Sequence, residues 1–277
     1  MRMEPPGSAY VRLRHQLDSR QDGRPGATLS PSSLEVGLEV IRIAMWSGPR
    51  NVSTALMRSF SSRSDTEVVD EPLYAAYLAE TGLDHPGREE ILATYPTAWA
   101  EAVAALEADT TQPVQYAKHM THHLLPSMDR GWIPRMRNAF LIRNPDEVLA
   151  SYTQVIAEPT LEDLGMPQQQ ELFDLVRAET GAIPPVVDAR DLLQDPPRAL
   201  AALCERLGLP FEDRMLNWSA GPHPRDGCWA PHWYANVEAS TGFGPYRPKD
   251  APLDERLQPL AARCRPYYDH LHAHRIR

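Results

Sequence analysis

The sequence of 277 residues has few cysteines, no long apolar run and no excess of positive charge, and each absence excludes a class of protein. Its three cysteines are far apart and form no C-x-x-C pair, which argues against a disulfide framework and a zinc site. No run approaches the roughly 18 apolar residues that a membrane span requires, and the N-terminus lacks the apolar core of a signal peptide. We therefore expect a cytoplasmic globular protein that has no membrane partner.

The net charge of −9 is unevenly distributed along the chain. Residues 1–38 carry about +1 and residues 256–277 about +4, so about −14 falls on the middle of the chain. An acidic body of this kind repels nucleic acid and anionic membranes. We therefore predict that nucleic acid is not a partner, and that any anionic ligand is held by a few placed cations and backbone amides.

The chain divides into a short N-terminal segment and one large domain. Residues 1–38 are rich in Pro, Gly, Ser and Arg without a sustained helical or strand period, which predicts a mobile extension before a domain at 39–277. From Val40 onward, short β-branched or aromatic runs alternate with longer helical patterns. This alternation predicts an α/β fold, a three-layer αβα sandwich with a mostly parallel central sheet. The predicted strands span residues 40–46, 66–69, 113–117, 139–142 and 185–187.

A candidate anion site follows the first predicted strand. The segment S-G-P-R-N-V-S-T at residues 47–54 leads directly into a helical stripe. The free amides of the first helical turn, the Ser53 and Thr54 hydroxyls and the Arg50 guanidinium would form a phosphate-sized anion site. A capped helix start is the alternative interpretation. The second glycine and the lysine of a Walker A loop are missing, which argues against ordinary ATP binding.

A second candidate anion site follows the fourth predicted strand. Arg143 ends that strand, and Asn144 and Pro145 suit the first positions of a helix. Ser151 follows Arg143 by eight residues, two turns into the same helix. The bidentate fork of the arginine and the hydroxyl of the serine would hold one more phosphate group. For either residue alone, a position on the solvent-exposed surface is the alternative.

These segments resemble those of sulfotransferases that use 3′-phosphoadenosine 5′-phosphosulfate (PAPS). Residues 49–54 resemble the 5′-phosphosulfate loop of that family, and R-N-P at 143–145 together with Ser151 matches its 3′-phosphate motif. A further stretch at 195–211, with D-P and then L-C-x-x-L-G-L-P-F, is also similar. The resemblance implies a P-loop-type fold of the sulfotransferase type. It also implies metal-independent, in-line transfer from PAPS to a hydroxyl or amine of a small-molecule acceptor, with 3′,5′-ADP as product.

The resemblance also implies which residues bind PAPS. The 5′ loop departs from the family's usual P-[KR]-S-G-T-T, because Asn51 replaces the serine and Val52 the glycine. Ser240 and Arg247 lie in or close to an aromatic late stretch, which is either a packed lid or a wall for an apolar acceptor. A loop that covers the core, with an ordinary surface arginine, is the plain alternative. The PAPS-binding residues implied by the resemblance are Arg50, Asn51, Val52, Ser53, Thr54, Arg143, Ser151, Ser240 and Arg247.

One candidate general base follows the second predicted strand. Asp70 and Glu71 end that strand, and burying two carboxylates requires partners. Glu71 precedes a proline and is similar in position to the E-P pair that supplies the base in bacterial and carbohydrate sulfotransferases. Such a glutamate would accept the proton of the acceptor hydroxyl. The alternative is that both carboxylates cap the helix that follows.

The other candidate bases follow the third predicted strand. Residues 118–123 read K-H-M-T-H-H, where cytosolic sulfotransferases carry K-T-H with the lysine on the sulfate and the histidine as base. The resemblance therefore assigns Lys118 to the sulfate and leaves His119 and His122 as alternative bases. Three histidines and a lysine in six residues also suggest a metal site, but no local carboxylate or cysteine completes one. We expect no metal.

Two other functions compete with sulfuryl transfer on the sequence alone. One is a Mg-dependent P-loop kinase, with V-V-D-E at 68–71 as its Walker B strand. The other is a nucleotide-binding protein without catalysis, because the 5′ loop is altered. The missing Walker lysine argues against the kinase, and so do Arg143 and Ser151, because ATP has no 3′-phosphate. The sequence does not identify the acceptor and leaves open whether the chain forms a homo-oligomer.

Overall fold

The computed structural model describes residues 40–154, 156–248 and 252–277, so the predicted mobile extension at 1–38 lies outside the described residues. Five strands form one sheet in the order β2-β3-β1-β4-β5, and every pairing is parallel. Each predicted strand is present, and the prediction of a mostly parallel sheet is confirmed. The strands are β1 (Ile41–Ser47), β2 (Thr66–Asp70), β3 (Val114–Met120), β4 (Arg137–Ile142) and β5 (Val186–Asp188).

Helices cover both faces of the sheet. They are α1 (Ser53–Ser61), α2 (Tyr74–Thr81), α3 (Arg88–Thr94), α4 (Trp99–Glu107), α5 (Pro145–Tyr152), α6 (Leu161–Leu164), α7 (Met166–Thr180), α8 (Ala189–Gln194), α9 (Pro196–Arg206), α10 (Ala230–Trp233), α11 (Ala235–Glu238) and α12 (Gln258–His272). Short 3₁₀ turns lie at Thr121–His123, Ile133–Arg135, Asp213–Leu216 and Glu255–Leu257. Within the described ranges, no helix is both long and apolar enough to cross a membrane.

The central strand shows how the two cores are separated. Successive side chains of a strand point to opposite faces, so Ile43 and Met45 of β1 enter one core while Ala44 and Trp46 enter the other. The first core packs against α1, α8 and α9, and the second against α4, α7 and α12. All four β1 side chains are almost completely buried. This arrangement is the predicted three-layer αβα sandwich.

The order of the strands places the candidate residues along one edge of the sheet. Because β1 lies between β3 and β4, the carboxyl ends of these three strands are neighbours, and β2 follows on the far side of β3. In open parallel sheets, ligands bind in the crevice outside the carboxyl ends of the strands, where the strand order reverses. The residues that follow Ser47, Asp70, Met120 and Ile142 therefore surround this crevice.

Candidate functional site

The loop between β1 and α1 has an unusual backbone. Arg50 and Val52 adopt left-handed conformations, with φ of 61° and 58°, and Val52 is the residue that precedes the first turn of α1. A β-branched residue pays roughly 1–2 kcal/mol for that conformation and keeps it only where the surrounding structure imposes it. The Asn51 amide supplies part of that restraint, because its Nδ2 donates to the Leu141 carbonyl of β4 at 3.2 Å. The loop thus retains the backbone conformation that a glycine would favour.

Arg50, Arg143 and Ser151 meet beside this loop and are called the arginine cluster below. Arg50 Nε donates to Ser151 Oγ at 3.0 Å, and Arg143 Nη1 donates to the Arg50 carbonyl at 2.9 Å. Arg143 Nε also donates to Glu147 Oε2 at 2.9 Å. Burial, followed by the charge of Arg143, lowers the pKa of Arg50. The predicted 5′ and 3′ anion sites are therefore adjacent and hold two cations near one carboxylate.

Helix α5 positions the serine of this cluster. The helix begins at Pro145, and the side chain of Asn144 accepts a hydrogen bond from the Asp146 amide at 3.0 Å, as the N-cap prediction required. Two turns later, the Ser151 hydroxyl accepts the hydrogen bond from Arg50 Nε. Because the Arg143 side chain is only 17% exposed, the alternative of a solvent-exposed surface arginine does not describe it.

Lys118, Asp70, Glu71 and Tyr234 form a second group, called the lysine cluster below. Lys118 Nζ lies 2.8 Å from Asp70 Oδ1, 2.6 Å from Glu71 Oε1 and 2.5 Å from the Tyr234 hydroxyl. The Lys118 and Asp70 side chains are each 1% exposed and that of Glu71 12% exposed. The structure therefore brings together Lys118 and Glu71, two of the residues predicted to act on the sulfuryl group and the acceptor.

The architecture explains why the lysine cluster forms where it does. Asp70 and Lys118 are register partners at the ends of β2 and β3. A segment at 227–238, here called the aromatic segment, covers them: the Gly227 amide donates to Asp70 Oδ2 at 3.0 Å. The Tyr234 hydroxyl lies 2.8 and 2.9 Å from the Asp70 carboxylate oxygens and accepts a bond from the indole of Trp229. The aromatic segment is thus a packed lid over two strand ends.

The helix-cap interpretation of Asp70 and Glu71 is excluded by these contacts. Helix α2 begins at Tyr74, its N-cap is Leu73, and no side chain caps it. Glu71 instead takes a left-handed backbone conformation, with φ of 40°, and aims its carboxylate at Lys118. Strained backbone at three residues, all at the carboxyl edge of one sheet, is typical of functional sites.

Burial and the neighbouring charges together determine the pKa values of the lysine cluster. Burial raises the pKa of Glu71, Lys118 opposes this shift, and the neighbouring charge of Asp70 adds to it. Burial also acts to lower the pKa of Lys118, but the two carboxylates outweigh it and raise that pKa. Burial and the same carboxylates raise the pKa of Tyr234 well above its usual value, so the phenol stays protonated. Glu71 is consequently the group in this cluster that is suited to take up a proton.

The histidines after β3 have different surroundings. His119 stacks on Trp46 with ring centroids 4.3 Å apart, burial lowers its pKa to about 3, and neither ring nitrogen has a hydrogen-bond partner among the described residues. His122 packs edge-on against Tyr77, and burial lowers its pKa to about 4. Neither contact involves Glu71, so the assignment of either histidine as base stays a prediction without geometric support.

His123 is the histidine that sequence reasoning missed. Its Nδ1 lies 3.9 Å from Glu71 Oε2, because the 3₁₀ turn at Thr121–His123 directs the third histidine of K-H-M-T-H-H back toward the end of β2. The sequence contains no signal for the direction of that turn. Across the described part of the chain, no group of three His, Cys, Asp or Glu side chains is arranged to hold a metal ion.

The two late residues of the predicted PAPS site are placed differently from each other. The Ser240 hydroxyl donates to the Val237 carbonyl at 2.7 Å and accepts from the Trp218 indole at 3.1 Å, apart from both clusters. Arg247 is exposed and makes no ion pair with a described residue. Its neighbour Tyr246 donates to Glu147 Oε1 at 2.7 Å, and Glu147 is the carboxylate that Arg143 binds. The chain before Arg247 therefore passes the arginine cluster.

The chain is similar to known sequences over most of its length. A family model described as a sulfotransferase domain matches residues 41–275. Branched-chain-amino-acid aminotransferase-like protein 1 of Arabidopsis thaliana is 38% identical over 235 residues, which are 84% of this chain and 42% of that protein. Branched-chain-amino-acid aminotransferase-like protein 2 of the same plant is 36% identical over 240 residues, 86% of this chain and 42% of that protein. This chain thus spans less than half the length of either relative.

Solved structures are similar in fold. The sulfotransferase from Alicyclobacillus acidocaldarius superposes with a TM-score of 0.53 at 12% identity, covering 86% of this chain and 97% of that one. The sulfotransferase domain of the olefin synthase from Synechococcus PCC 7002 gives a TM-score of 0.48 at 19% identity, covering 81% and 94%. At 12% identity, the similarity to the Alicyclobacillus acidocaldarius sulfotransferase concerns the fold alone.

Proposed function

This chain belongs to the sulfotransferase domain family, and from that premise we propose that it transfers the sulfuryl group of PAPS to a small-molecule acceptor. The observation that carries the proposal is the arginine cluster, where Arg50, which follows β1, donates to Ser151, and Arg143, which follows β4, donates to the Arg50 carbonyl. Two guanidiniums near the single carboxylate of Glu147 favour a ligand with more than one anionic group. PAPS carries such groups on both its 3′ and 5′ sides.

The residues around the PAPS site have separable roles in the proposal. Arg143 and Ser151 hold the 3′-phosphate, and Arg50 with the backbone amides of residues 51–54 holds the 5′-phosphosulfate. The amides of the first helical turn and a cation stabilise the charge that develops on the departing phosphate. The left-handed conformations of Arg50 and Val52 support this role, because a loop that is already ordered needs little reorganisation at that moment. Arg247, next to Tyr246, is the cation proposed to close over the nucleotide.

Glu71 is proposed as the general base on the opposite side of the sulfur. The acceptor hydroxyl forms the new bond to sulfur, its proton passes to Glu71, and the bond between sulfur and the 5′-phosphate oxygen breaks. A carboxylate with a raised pKa suits proton transfer near neutral pH. Lys118 is proposed to contact the sulfuryl oxygens by giving up one of its three present partners, because Asp70, Glu71 and the Tyr234 hydroxyl occupy all three of its N–H donors. No nucleic acid or metal ion takes part in this scheme.

The competing kinase function is not favoured by the surroundings of Asp70. A Walker B aspartate must offer an oxygen to magnesium or its water shell. Here both carboxylate oxygens lie within hydrogen-bond distance of the Tyr234 hydroxyl. Lys118 Nζ and the Gly227 amide bind them as well. The lysine also supplies the countercharge that magnesium would otherwise provide.

Calorimetric titration of 3′,5′-ADP and of ATP, with and without Mg²⁺, tests the proposal. We expect 3′,5′-ADP to bind without magnesium and more tightly than ATP, because only 3′,5′-ADP has a 3′-phosphate for Arg143. Tighter binding of ATP with Mg²⁺ would support the kinase and contradict the proposal. Release of ³⁵S-labelled sulfate or a labelled product from PAPS then separates an enzyme from a protein that only binds the nucleotide.

A further inference from the structure

The two carboxylate oxygens of Glu71 have unlike surroundings. Oε1 is bonded by Lys118 Nζ at 2.6 Å and lies 3.4 Å from the Tyr234 hydroxyl. Oε2 makes no hydrogen bond with the described residues, and His123 Nδ1 lies 3.9 Å from it. The left-handed backbone of Glu71 fixes this orientation. One oxygen is therefore held by the lysine cluster, and the other faces a histidine.

The ring of His123 is held so that Nδ1 keeps this direction. It stacks on Tyr74 with centroids 4.5 Å apart and planes inclined by 4°, and on Tyr77 at 4.8 Å and 29°. Nδ1 is buried and has no hydrogen-bond partner among the described residues. Burial, with smaller contributions from His122 and other neighbouring groups, lowers the pKa of His123 well below its usual value. A buried ring nitrogen without a partner is costly, and functional sites are one reason such groups persist.

The distance between the two groups suits a shared ligand atom. A separation of 3.9 Å is too long for a direct hydrogen bond. An oxygen about 2.8 Å from each group would bridge them at an angle of roughly 90°. We propose that the acceptor hydroxyl binds between Glu71 Oε2 and His123 Nδ1, and that this seat selects hydroxyls over amines. The proposal rests on the proposed sulfuryl transfer and assigns His123 a role in acceptor binding.

The expected preference for hydroxyls over amines follows from the number of lone pairs on the acceptor atom. The proposal places the proton of the neutral His123 ring on Nδ1, facing the Glu71 carboxylate. In this seat the acceptor oxygen donates its proton to Glu71, accepts that N–H with one lone pair and attacks sulfur with the other. A neutral amine nitrogen has a single lone pair, so it cannot accept from His123 and attack sulfur at the same time. As the bond to sulfur forms and the sulfur–phosphate bond breaks, the proton passes to Glu71 and His123 stays neutral. The acceptor class is therefore an alcohol or a phenol.

His123→Phe, His123→Asn and a control variant test this seat. Phenylalanine keeps the stack between Tyr74 and Tyr77 but removes the nitrogen, whereas the asparagine amide restores a donor near Nδ1. His274→Phe is the matched control, because His274 also stacks on a ring, that of Phe173 at 5.2 Å, far along the chain in the turn after α12. Melting temperature reports folding, and calorimetry with 3′,5′-ADP reports the nucleotide site.

Sulfuryl transfer from ³⁵S-labelled PAPS is measured to water and to two matched pairs, phenol with aniline and 2-phenylethanol with 2-phenylethylamine. We expect His123→Phe to reduce transfer to hydroxyl acceptors, water included, roughly tenfold, the value of one hydrogen bond, with unchanged 3′,5′-ADP affinity. His123→Asn should recover part of the loss, and His274→Phe should match the wild type. In a Glu71→Gln background, His123→Phe should have a smaller effect, because both residues act on the same oxygen.

The results that would contradict the seat, the selectivity and the proposed function differ from one another. If His123→Phe and His123→Asn both transfer to hydroxyls at the wild-type rate while Glu71→Gln does not, the seat is wrong and the proposed function stands. Faster transfer to aniline or 2-phenylethylamine than to the matched hydroxyl by the wild type overturns the selectivity. If the wild type neither binds 3′,5′-ADP nor releases label from PAPS, the proposed function fails and the seat fails with it. Should the phenylalanine variant not fold, the asparagine variant decides the question.

Discussion

The arginine cluster and the lysine cluster lie on neighbouring strand ends but compensate charge in opposite ways. Around Arg50 and Arg143, two cations have one carboxylate, Glu147, and the side chains of Arg143 and Glu147 are 17% and 13% exposed. Around Lys118, one cation has two carboxylates, and neither it nor Asp70 is more than 1% exposed. One cluster therefore carries excess positive charge, and the other carries excess negative charge around a lysine and an aspartate that are almost completely buried.

This difference indicates that the two clusters have different roles, one in binding an anion and the other in accepting a proton. Excess positive charge attracts an anionic ligand and stabilises a departing phosphate. Excess negative charge in a buried place raises the affinity of a carboxylate for a proton. Because β3, β1 and β4 are adjacent, a sulfur atom between the clusters would have a base on one side and cations on the other. Substitutions that change one cluster and leave the other intact test this difference in roles.

The largest effect is expected for Glu71→Gln, which keeps the shape of the side chain and removes the base. Turnover with PAPS should fall roughly 10²–10⁴-fold, because general-base catalysis contributes about that much. The affinity for 3′,5′-ADP should stay nearly unchanged, since the arginine cluster is intact. Steady-state assays with ³⁵S-labelled PAPS and calorimetry measure the two quantities.

The pH dependence provides the control for Glu71→Gln. Because burial raises the pKa of Glu71, wild-type turnover should decline as pH falls through that raised value, since only the ionised carboxylate accepts a proton. The residual turnover of the variant should lack this decline. Near-normal turnover of Glu71→Gln, combined with loss in His119→Ala or His122→Ala, would instead assign the base to that histidine.

Lys118→Met should cause a large loss of stability. The substitution leaves two buried carboxylates without their cation, which is expected to lower the free energy of unfolding by about 3–5 kcal/mol. Urea denaturation at pH 7 measures the loss. The deficit should shrink as pH falls through the raised pKa of Glu71, because protonation of that carboxylate removes part of the uncompensated charge.

Arg135→Met is the matched control for Lys118→Met. Arg135 pairs with Glu107 at the surface, with side chains 60% and 38% exposed, and such pairs contribute less than about 1 kcal/mol. A similar loss for both variants would mean that the lysine cluster contributes no more than a surface ion pair. The view that burial strengthens the ion pairs of the lysine cluster would then be wrong.

Arg143→Ala tests the arginine cluster. Binding of 3′,5′-ADP should weaken by about 1.5–3 kcal/mol, the range for hydrogen bonds to charged groups, and Ser151→Ala should cost about 1 kcal/mol. Adenosine 5′-phosphosulfate lacks the 3′-phosphate, so its affinity should change less. Equal losses for the two nucleotides would show that Arg143 acts mainly through the Arg50 carbonyl that it binds.

Two substitutions at Val52 are expected to have the smallest effect. Glycine ordinarily destabilises a chain relative to alanine. At a φ of 58° the order should reverse, with Val52→Gly more stable than Val52→Ala by about 1 kcal/mol, because glycine alone avoids the left-handed strain. Both variants lose the valine side chain, so their difference isolates the backbone. Thermal unfolding compares them, and a more stable alanine variant would mean that the strain is absent.

The sequence predicts features that depend on local patterns. The parallel strands follow from β-branched runs that alternate with helical patterns, and every predicted run overlaps a strand and extends beyond it by at most one residue, at its start. Arg143, Asn144 and Ser151 are recognisable because a strand end, a cap and a helix position follow one another at short spacing. Glu71 is recognisable for the same reason, as a carboxylate at a strand end.

Contacts between distant segments could not be predicted in the same way. Tyr234 contacts Asp70 across 164 residues, and the sequence around it has neither a strand nor a helix period, although the short helices α10 and α11 flank it. Glu147 and Tyr246 meet across 99 residues to support Arg143. His123, rather than His119 or His122, lies near Glu71 because of the direction of one 3₁₀ turn. The spacing of residues in the sequence does not predict that direction. These residues are specified by packing, which emerges only when the whole chain is folded.

The large sequence separation between the aromatic segment and Asp70 has a consequence for folding during synthesis. The strands with Asp70 and Lys118 leave the ribosome well before Gly227 and Tyr234, which contact Asp70 across 157 and 164 residues. The loop between β1 and α1 can form early, whereas the lysine cluster is complete only after the aromatic segment docks. We therefore expect a nascent chain that ends before residue 227 to lack sulfuryl transfer even where it binds nucleotide. Arrested ribosome-bound chains of increasing length would reveal that interval.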